Sequence, residues 1–472
     1  MKPPLGQRLR TLASREHIAA VFARWFPRRI DRFLLAAIAV VIIAGTVLRV
    51  DAIGGNNRVS VDEGGYIANA DRILEGQQIA TYKWAPGTSL MFAAAAVLRG
   101  TPRISQDIHS HGIAQYAQLV VEVLTLILVA VIAWILAGPW AALLATALMA
   151  TYEPLIDVTR TYLSEPLGGL ILIAMVAAIC WARKRDLHSL VLAGIVAGLA
   201  GLVREDYAVA VAVIMLGLIA SGYPSRRAAI GRSLLYGIVA LAVVSPYVVY
   251  ASIKEKRFTP IVSAGPHALF LGTYLPGGGN QFIDLAVTAK EVCRHFPPRP
   301  GFKGYCHLPP GDAQGLFALV HSEHPGESDQ AAAQTAAFEN LNRYMLGEPL
   351  KFAHMLWKKA WNMWSYPWSG GNSVGGGGLA RTTSLFQHQL YSVIAWIGLL
   401  FGLVLLRRRW AFVVPVLAML AIALLNTFFA ITPRDNVRFM PYLFLFGAIG
   451  LLTALRRLTE RVREARARPA IV

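Results

Sequence analysis

The sequence is poor in charged residues, and this shortage decides the class of protein. Only 15% of its 472 residues are charged and 55% are hydrophobic, whereas soluble domains carry about 25% charged residues. Several apolar runs reach the roughly 17–25 residues that a helix needs to cross a bilayer. These runs are continuous, whereas barrel strands alternate at every second residue. The sequence therefore predicts an all-α polytopic integral membrane protein.

Cysteine is also scarce. Three cysteines are too few for a disulfide-built scaffold, and no Cys-x-x-Cys or Cys/His cluster has metal-site spacing. Cys180 lies inside an apolar run and is interpreted as a small buried hydrophobic residue. Cys293 and Cys306 lie in the largest polar loop, where we predict one structural disulfide. The outer loops lack an Asp-x-Asp motif and a His pair at ligand spacing, so the residues themselves predict no metal site.

The net charge of +18 comes from basic residues that are unevenly distributed. They gather in alternate short loops, namely residues 24–32, 183–185, 226–232, 407–409 and 456–468. This pattern follows the positive-inside rule, which orients a membrane protein and attracts anionic lipids. We therefore expect anionic membrane lipids as partners, no nucleic acid, and both termini in the cytoplasm.

About ten spans, within a range of about nine to twelve, satisfy this alternation of charge. They are predicted near residues 33–48, 114–137, 140–156, 166–182, 188–203, 207–222, 230–250, 390–406, 410–430 and 438–455. Residues 87–98 are apolar but short, and we interpret them as a juxtamembrane or re-entrant helix. In the large loop, Ser328 is a candidate N-cap, and a further helix is expected after Pro349.

The spans divide the chain into five parts. These are a basic cytoplasmic amphipathic segment (1–30), a membrane domain (31–251) with its first outer loop at 51–113, a large extracytoplasmic loop (252–388), C-terminal membrane helices (389–455) and a basic cytoplasmic tail (456–472). A disordered basic tail is the alternative interpretation of the first part.

Polar residues are concentrated in the predicted outer turns. The turns contain Asp62 and Glu63; Arg160, Tyr162, Ser164 and Glu165; Arg204, Glu205 and Asp206; and Arg434, Asp435 and Arg438. Ionisable groups near hydrocarbon are costly unless they are paired or functional. Because each short turn carries both signs of charge, we predict that the turns form one pocket, with ordinary solvated loop charges as the alternative. Glu122, inside the second span, is expected to pair with an arginine near the outer leaflet.

The order of these segments resembles the GT-C glycosyltransferases, in particular the branch of protein mannosyltransferases and aminoarabinose transferases. The resemblance rests on Asp62-Glu63-Gly64-Gly65-Tyr66 with Ala70, Arg160-Thr161-Tyr162-Leu163-Ser164-Glu165-Pro166, Gly201-Leu202-Val203-Arg204-Glu205, and Asn436-Val437-Arg438-Phe439-Met440-Pro441-Tyr442. It extends from Arg49 to Tyr442 and is weak between residues 253 and 390. Lys83 near Pro86 is similar to a basic residue of that branch, although its spacing to the proline differs.

The resemblance implies an inverting glycosyltransferase of the plasma membrane. Its donor would be a sugar linked to polyprenyl phosphate, and its acceptor a glycan, lipid or protein at the extracytoplasmic face. Asp62 would be the catalytic base and Glu63 its supporting neighbour. Glu165 would be a second acid, with a salt bridge to Arg160 as the alternative. The resemblance leaves a divalent metal open, although no cofactor is required.

A second set of residues in the same region would bind the substrates. Basic residues suit the donor phosphate, since arginine binds it bidentately and lysine acts as a point charge. The predicted set is Tyr66, Lys83, Arg160, Tyr162, Arg204 and Arg438. A transporter or a flippase of lipid-linked sugars is the alternative function. It would place ionisable groups near the bilayer midplane, where this sequence has few.

Overall fold

The structure is a computed structural model, and it describes residues 29–53, 59–81, 83–107, 112–182, 186–279, 314–368 and 378–467. These residues form helices and no strands, which confirms the predicted all-α class. The predicted disulfide between Cys293 and Cys306 lies outside the described residues, and so does most of the segment 1–30. Cys180 is half-buried.

The helices are numbered in chain order. They are α1 (Arg29–Ile53), α2 (Val61–Leu74), α3 (Pro86–Arg99), α4 (Ile113–Ala137), α5 (Pro139–Thr151), α6 (Glu165–Ala182), α7 (Leu187–Val203), α8 (Tyr207–Ser221), α9 (Arg226–Glu255), α10 (Gly265–Thr273), α11 (Gln314–Glu323), α12 (Asp329–Asn340), α13 (Pro349–Ser365), α14 (Gly378–Leu405), α15 (Trp410–Thr427) and α16 (Met440–Ala467). Short helical turns cover Glu153–Asp157, Val158–Arg160 and Pro433–Phe439.

Within the described residues, seven helices are long and apolar enough to cross a membrane, and a bent pair could make an eighth span. The bent pair joins α5 to residues 153–160 at an angle of 63°. Two shorter apolar helices, α7 and α8, coincide with two more predicted spans. Each predicted span therefore corresponds to a helix, and the polytopic fold is confirmed.

Helix ends differ most from the prediction where polar residues extend an apolar helix. α14 begins at Gly378, inside the segment assigned to the large loop, because the polar residues before its apolar stretch are also helical.

α3 matches the predicted short helix and has Pro86 in its first turn. Ser328 caps α12 by accepting a hydrogen bond from the Ala331 N–H, as predicted. α10, α11 and α12 pack around Phe270, Leu319 and Ala333.

α16 lies at the centre of the bundle, and 78% of its most apolar window is buried. Its close packing against α14 depends on glycine. A Cβ atom at Gly398 would lie 2.0 Å from the Gly447 carbonyl oxygen, so the two backbones are in direct contact. Small residues allow this approach between membrane helices, where van der Waals packing stabilises association. The turn that precedes α16 is therefore attached to a well-fixed helix.

A buried ion pair joins α1 to α4. Arg49 Nη2 lies 3.4 Å from Glu122 Oε2, and both side chains are buried. The guanidinium also donates to the carbonyl oxygens of Ala150 and Met149 at 3.2 Å, at the C-terminal end of α5. The expected arginine partner of Glu122 is thus confirmed. The pair fixes the point at which the chain bends after α5.

Candidate active site

A cavity of about 390 Å³ lies where the turns at one end of the helices meet. Small-molecule sites commonly have volumes of about 300–1,000 Å³. Its acidic and basic lining residues come from five separate parts of the chain and are Asp62, Lys83, Glu165, Arg204, Glu205, Asp206, Arg434 and Asp435. The outer turns predicted to form one pocket therefore do so.

Asp62 lies in the first turn of α2, where the positive end of the helix dipole favours a carboxylate. Two cations contact it. Lys83 Nζ lies 2.7 Å from Asp62 Oδ1, and Arg434 Nη1 lies 2.8 Å from Asp62 Oδ2. Burial by itself would raise the pKa of Asp62, but Arg434 and Lys83 outweigh it and lower the pKa below its ordinary value. Asp62 is therefore ionised at neutral pH.

Glu63 faces the backbone and is not among the residues that line the cavity. One of its oxygens accepts the Ser60 N–H at 2.7 Å, completing a capping box at the start of α2. The other oxygen accepts the Tyr162 N–H at 3.0 Å. Glu63 thus holds the first turn of α2 against the segment that leads into α6, which orients Asp62.

Glu165 opens α6, and its side chain is almost fully buried. Arg434 Nε lies 2.9 Å from its Oε1. The alternative partner considered from the sequence, Arg160, pairs instead with Asp157 at 2.5 Å. Arg434 is therefore the cation that joins Glu165 to Asp62.

A second ion-pair network surrounds Asp206. Arg204 Nε lies 3.3 Å from Asp206 Oδ1, and its Nη1 donates to the Ser164 hydroxyl at 3.4 Å. Arg438 Nη2 lies 2.7 Å from Asp206 Oδ2. The Arg438 side chain is fully buried, stacks near Phe439 and is not among the cavity-lining residues. Direct contact of Arg438 with a ligand phosphate would require Asp206 to move.

The turn 433–439 presents Arg434 to the cavity. Thr432 and Asp435 form a capping box at its start, with the Thr432 N–H donating to Asp435 Oδ2 at 3.0 Å. Asn436 is fully buried, and its Nδ2 donates to the Met363 carbonyl at 2.6 Å and to the Tyr366 carbonyl at 3.0 Å. These bonds attach the turn to the end of α13.

The tyrosines differ in their access to the cavity. Tyr66 lines it and shares a hydrogen bond with the Ser164 side chain, while burial raises the pKa of its hydroxyl. Tyr162 is buried against Phe92, with ring centroids 6.1 Å apart. Neither Tyr162 nor Arg160 is among the lining residues.

Glu205 is an acid whose burial was not predicted from the sequence. It lines the cavity, and it makes no ion pair with the residues that the structure describes. Burial raises its pKa to about 7, with a further contribution from the negative charge of Asp206, although the Val262 N–H and Arg204 act against the rise. Glu205 therefore changes its charge near neutral pH.

Comparison of the sequence with protein families found a match to part of the chain. Residues 92–250, less than half of the chain, match the model of the family "Dolichyl-phosphate-mannose-protein mannosyltransferase". The matched segment contains Glu165 and Arg204, begins after Asp62 and ends before the turn 433–439. A comparison with curated protein sequences found no significant match.

Comparison of the fold found similar solved structures. The archaeal oligosaccharyltransferase AglB from Archaeoglobus fulgidus, in complex with an inhibitory peptide and a dolichol-phosphate, aligns with a TM-score of 0.50 at 12% identity, over 93% of this chain and 52% of that chain. In its apo form that oligosaccharyltransferase aligns with a TM-score of 0.51 at 13% identity, over 93% and 53%. ArnT from Cupriavidus metallidurans bound to undecaprenyl phosphate aligns with a TM-score of 0.39 at 15% identity, over 90% and 78%.

The chain spans about half the length of the archaeal enzyme. That likeness concerns the fold, since the identity is low. It agrees with the sequence match over residues 92–250. The fold likeness and the sequence match both agree with the resemblance predicted from the sequence, and residues 92–250 are similar to the family of dolichyl-phosphate-mannose-protein mannosyltransferases.

Proposed function

We propose that this protein is an inverting membrane glycosyltransferase that moves a sugar from a polyprenyl-phosphate donor to an extracytoplasmic acceptor. The observation that carries the proposal is the position of Asp62, an ionised carboxylate at the edge of a cavity that also presents Lys83, Arg204 and Arg434. Such a cavity combines a carboxylate that can take up a proton with cations that can stabilise a departing phosphate.

Asp62 acts as the general base in this proposal. It takes the proton of the acceptor hydroxyl or amine as that nucleophile bonds to the anomeric carbon. The bond from this carbon to the phosphate oxygen breaks, and polyprenyl phosphate leaves with the electron pair. A single displacement inverts the anomeric centre. Glu165, fixed beside Asp62 through Arg434, orients the acceptor or the base.

The cations stabilise the negative charge that develops on the phosphate. Lys83 and Arg434 contact Asp62 directly, whereas Arg204 reaches the cavity from the α7–α8 turn. A donor phosphate competes with Asp62 for Lys83 and Arg434. Because these two cations lower the pKa of Asp62, donor binding raises that pKa and makes the carboxylate a better base. Arg438 acts as a positioning residue through Asp206.

The proposal places the cavity at the extracytoplasmic face, and the course of the helices supports this orientation. α6 runs from Glu165 at the cavity to Ala182, which precedes the basic residues 183–185 in the sequence, and α7 returns to Arg204. α16 runs from the turn 433–439 to the basic tail. Under the positive-inside rule, the ends near these arginines are cytoplasmic and the cavity faces the other side. We further propose a plasma-membrane location, with an envelope glycan, lipid or protein as the acceptor.

The test is incubation of the purified protein with a panel of polyprenyl-phosphate sugars and an extract of envelope glycans, lipids and proteins. Mass spectrometry follows donor depletion and formation of free polyprenyl phosphate. We expect one donor to be consumed with transfer of its sugar. Movement of intact donors between the leaflets of vesicles, without cleavage of the sugar–phosphate bond, would instead support a flippase.

A further inference from the structure

Arg434 occupies the space between the two acids that the proposed reaction uses. Its Nη1 lies 2.8 Å from Asp62 Oδ2, and its Nε lies 2.9 Å from Glu165 Oε1. Lys83 takes the remaining oxygen of Asp62 at 2.7 Å. Both oxygens of Asp62 and one oxygen of Glu165 are therefore engaged by side-chain cations.

Two converging carboxylates near a cavity need a positive charge between them, because their mutual repulsion would otherwise raise the pKa of one. A divalent metal ion or a guanidinium can supply that charge. Mg²⁺ and Ca²⁺ take about six or more oxygen ligands, and the described residues contain no group of three His, Cys, Asp or Glu side chains that could hold a metal. The donor set around Asp62 does not fit a divalent ion, whereas the planar fork of Arg434 fits both carboxylates.

The position of Arg434 is fixed by the fold. The capping box of Thr432 and Asp435 sets the start of its turn, and buried Asn436 attaches the turn to α13. The guanidinium is therefore held in place before any substrate binds, which is the condition for effective electrostatic stabilisation.

We propose that Arg434 is the built-in cation of the reaction centre and takes the place of a divalent metal. It holds Asp62 and Glu165 together, and it presents a positive charge to the phosphate of the donor. This inference rests on the proposed glycosyltransferase function. It assigns a catalytic contact to a residue that was predicted to lie in the pocket but was not among the predicted catalytic or substrate-binding residues, and it makes transfer independent of divalent ions.

The first experiment measures sugar transfer by the wild-type protein with and without EDTA, and then with added Mn²⁺ or Mg²⁺. We expect equal rates under all these conditions. Arg434→Ala should lower kcat by roughly 100-fold or more, and Arg434→Lys should keep part of the activity because it retains a charge but loses the fork. Arg103→Ala is the matched control, since Arg103 forms an ion pair with Glu75 at the surface and does not line the cavity.

The second experiment does not depend on activity. Electron paramagnetic resonance of Mn²⁺ measures binding to the wild type, to Arg434→Ala and to Arg434→Ala/Glu165→Gln. We expect no Mn²⁺ site in the wild type or in either variant, because Asp62 and Glu165 provide too few oxygen ligands for a divalent ion. Thermal unfolding tests whether each variant is folded. If Arg434→Ala does not fold, Arg434→Lys replaces it in the measurement.

The outcomes separate this inference from the proposed function. Wild-type activity that is lost with EDTA and restored by Mn²⁺ overturns the role of Arg434 but leaves the transferase intact. A stable Arg434→Ala variant at the wild-type rate also overturns it. Absence of transfer by every form counts against the proposed function, and Mn²⁺ binding then decides the inference: a site in the wild type contradicts it.

Discussion

Glu205→Gln should stabilise the protein at alkaline pH. Glu205 lies in the turn between α7 and α8, and burial beside Asp206 raises its pKa from 4.5 to about 7. An amide of the same shape has no charge to bury, and its oxygen can still accept the Val262 N–H. The substitution therefore removes the cost of ionising this carboxyl group inside the protein.

The size of the effect follows from proton linkage. Between pH 4.5 and about 7 the folded protein binds more protons at Glu205 than the unfolded chain, so the stability of the wild type falls as pH rises through this window. Each pKa unit corresponds to about 1.36 kcal/mol. The rise from 4.5 to about 7 therefore costs up to about 3 kcal/mol above pH 7. Near pH 4.5 the cost is absent.

The assay is thermal unfolding in detergent at several pH values between 4.5 and 8.5. Glu205→Gln should unfold at a higher temperature than the wild type at pH 8, and the difference should shrink towards pH 4.5. Glu75→Gln is the control, because Glu75 pairs with Arg103 at the surface. A difference that is constant across pH, or a less stable variant at pH 8, would refute the assignment of a raised pKa.

Three further predictions concern packing and buried polar groups. Asn436→Ala removes two hydrogen bonds between the turn 433–439 and α13, and chemical unfolding should show a loss of about 1–3 kcal/mol; unchanged stability would mean that these bonds contribute little. Gly65→Ala would place a Cβ 2.0 Å from the Trp84 ring, which lines the cavity, so kcat/KM for transfer should fall. Gly64→Ala, whose Cβ would meet Val59 at 3.9 Å and no other described residue within 4 Å, should not lower it, and equal effects would argue against displacement of Trp84. Arg49→Met leaves Glu122 buried without its cation and should cost about 3–5 kcal/mol. Adding Glu122→Gln should recover part of that loss, and a further loss would contradict the ion-pair argument.

Hydropathy and charge alternation were sufficient to predict the helices, because lipid requires long apolar stretches with satisfied backbones. They were also sufficient to predict that Asp62, Glu165 and Arg204 share one site, since all three lie in turns at the same end of the bundle. Helix ends were predicted less well, as the early start of α14 at Gly378 illustrates.

The prediction of individual roles was limited by turn geometry. Arg434 and Arg438 are one turn apart in sequence, and only the winding of residues 433–439 decides that Arg434 faces the cavity while Arg438 is buried beneath Asp206. The backbone role of Glu63 could have been predicted, because Ser60 and Glu63 have the spacing of a capping box. The environment of Glu205 depends on burial by distant segments, which no local pattern encodes.

The central claim is that Asp62 removes the proton of the acceptor. The most direct measurement is the single-turnover rate of sugar transfer by Asp62→Asn, compared with the wild type and with Glu75→Gln, after thermal unfolding has confirmed that all three are folded. We predict a loss of about 100-fold or more for Asp62→Asn, the contribution expected of a general base, and a wild-type rate for Glu75→Gln. A folded Asp62→Asn protein that transfers sugar at the wild-type rate would contradict the account.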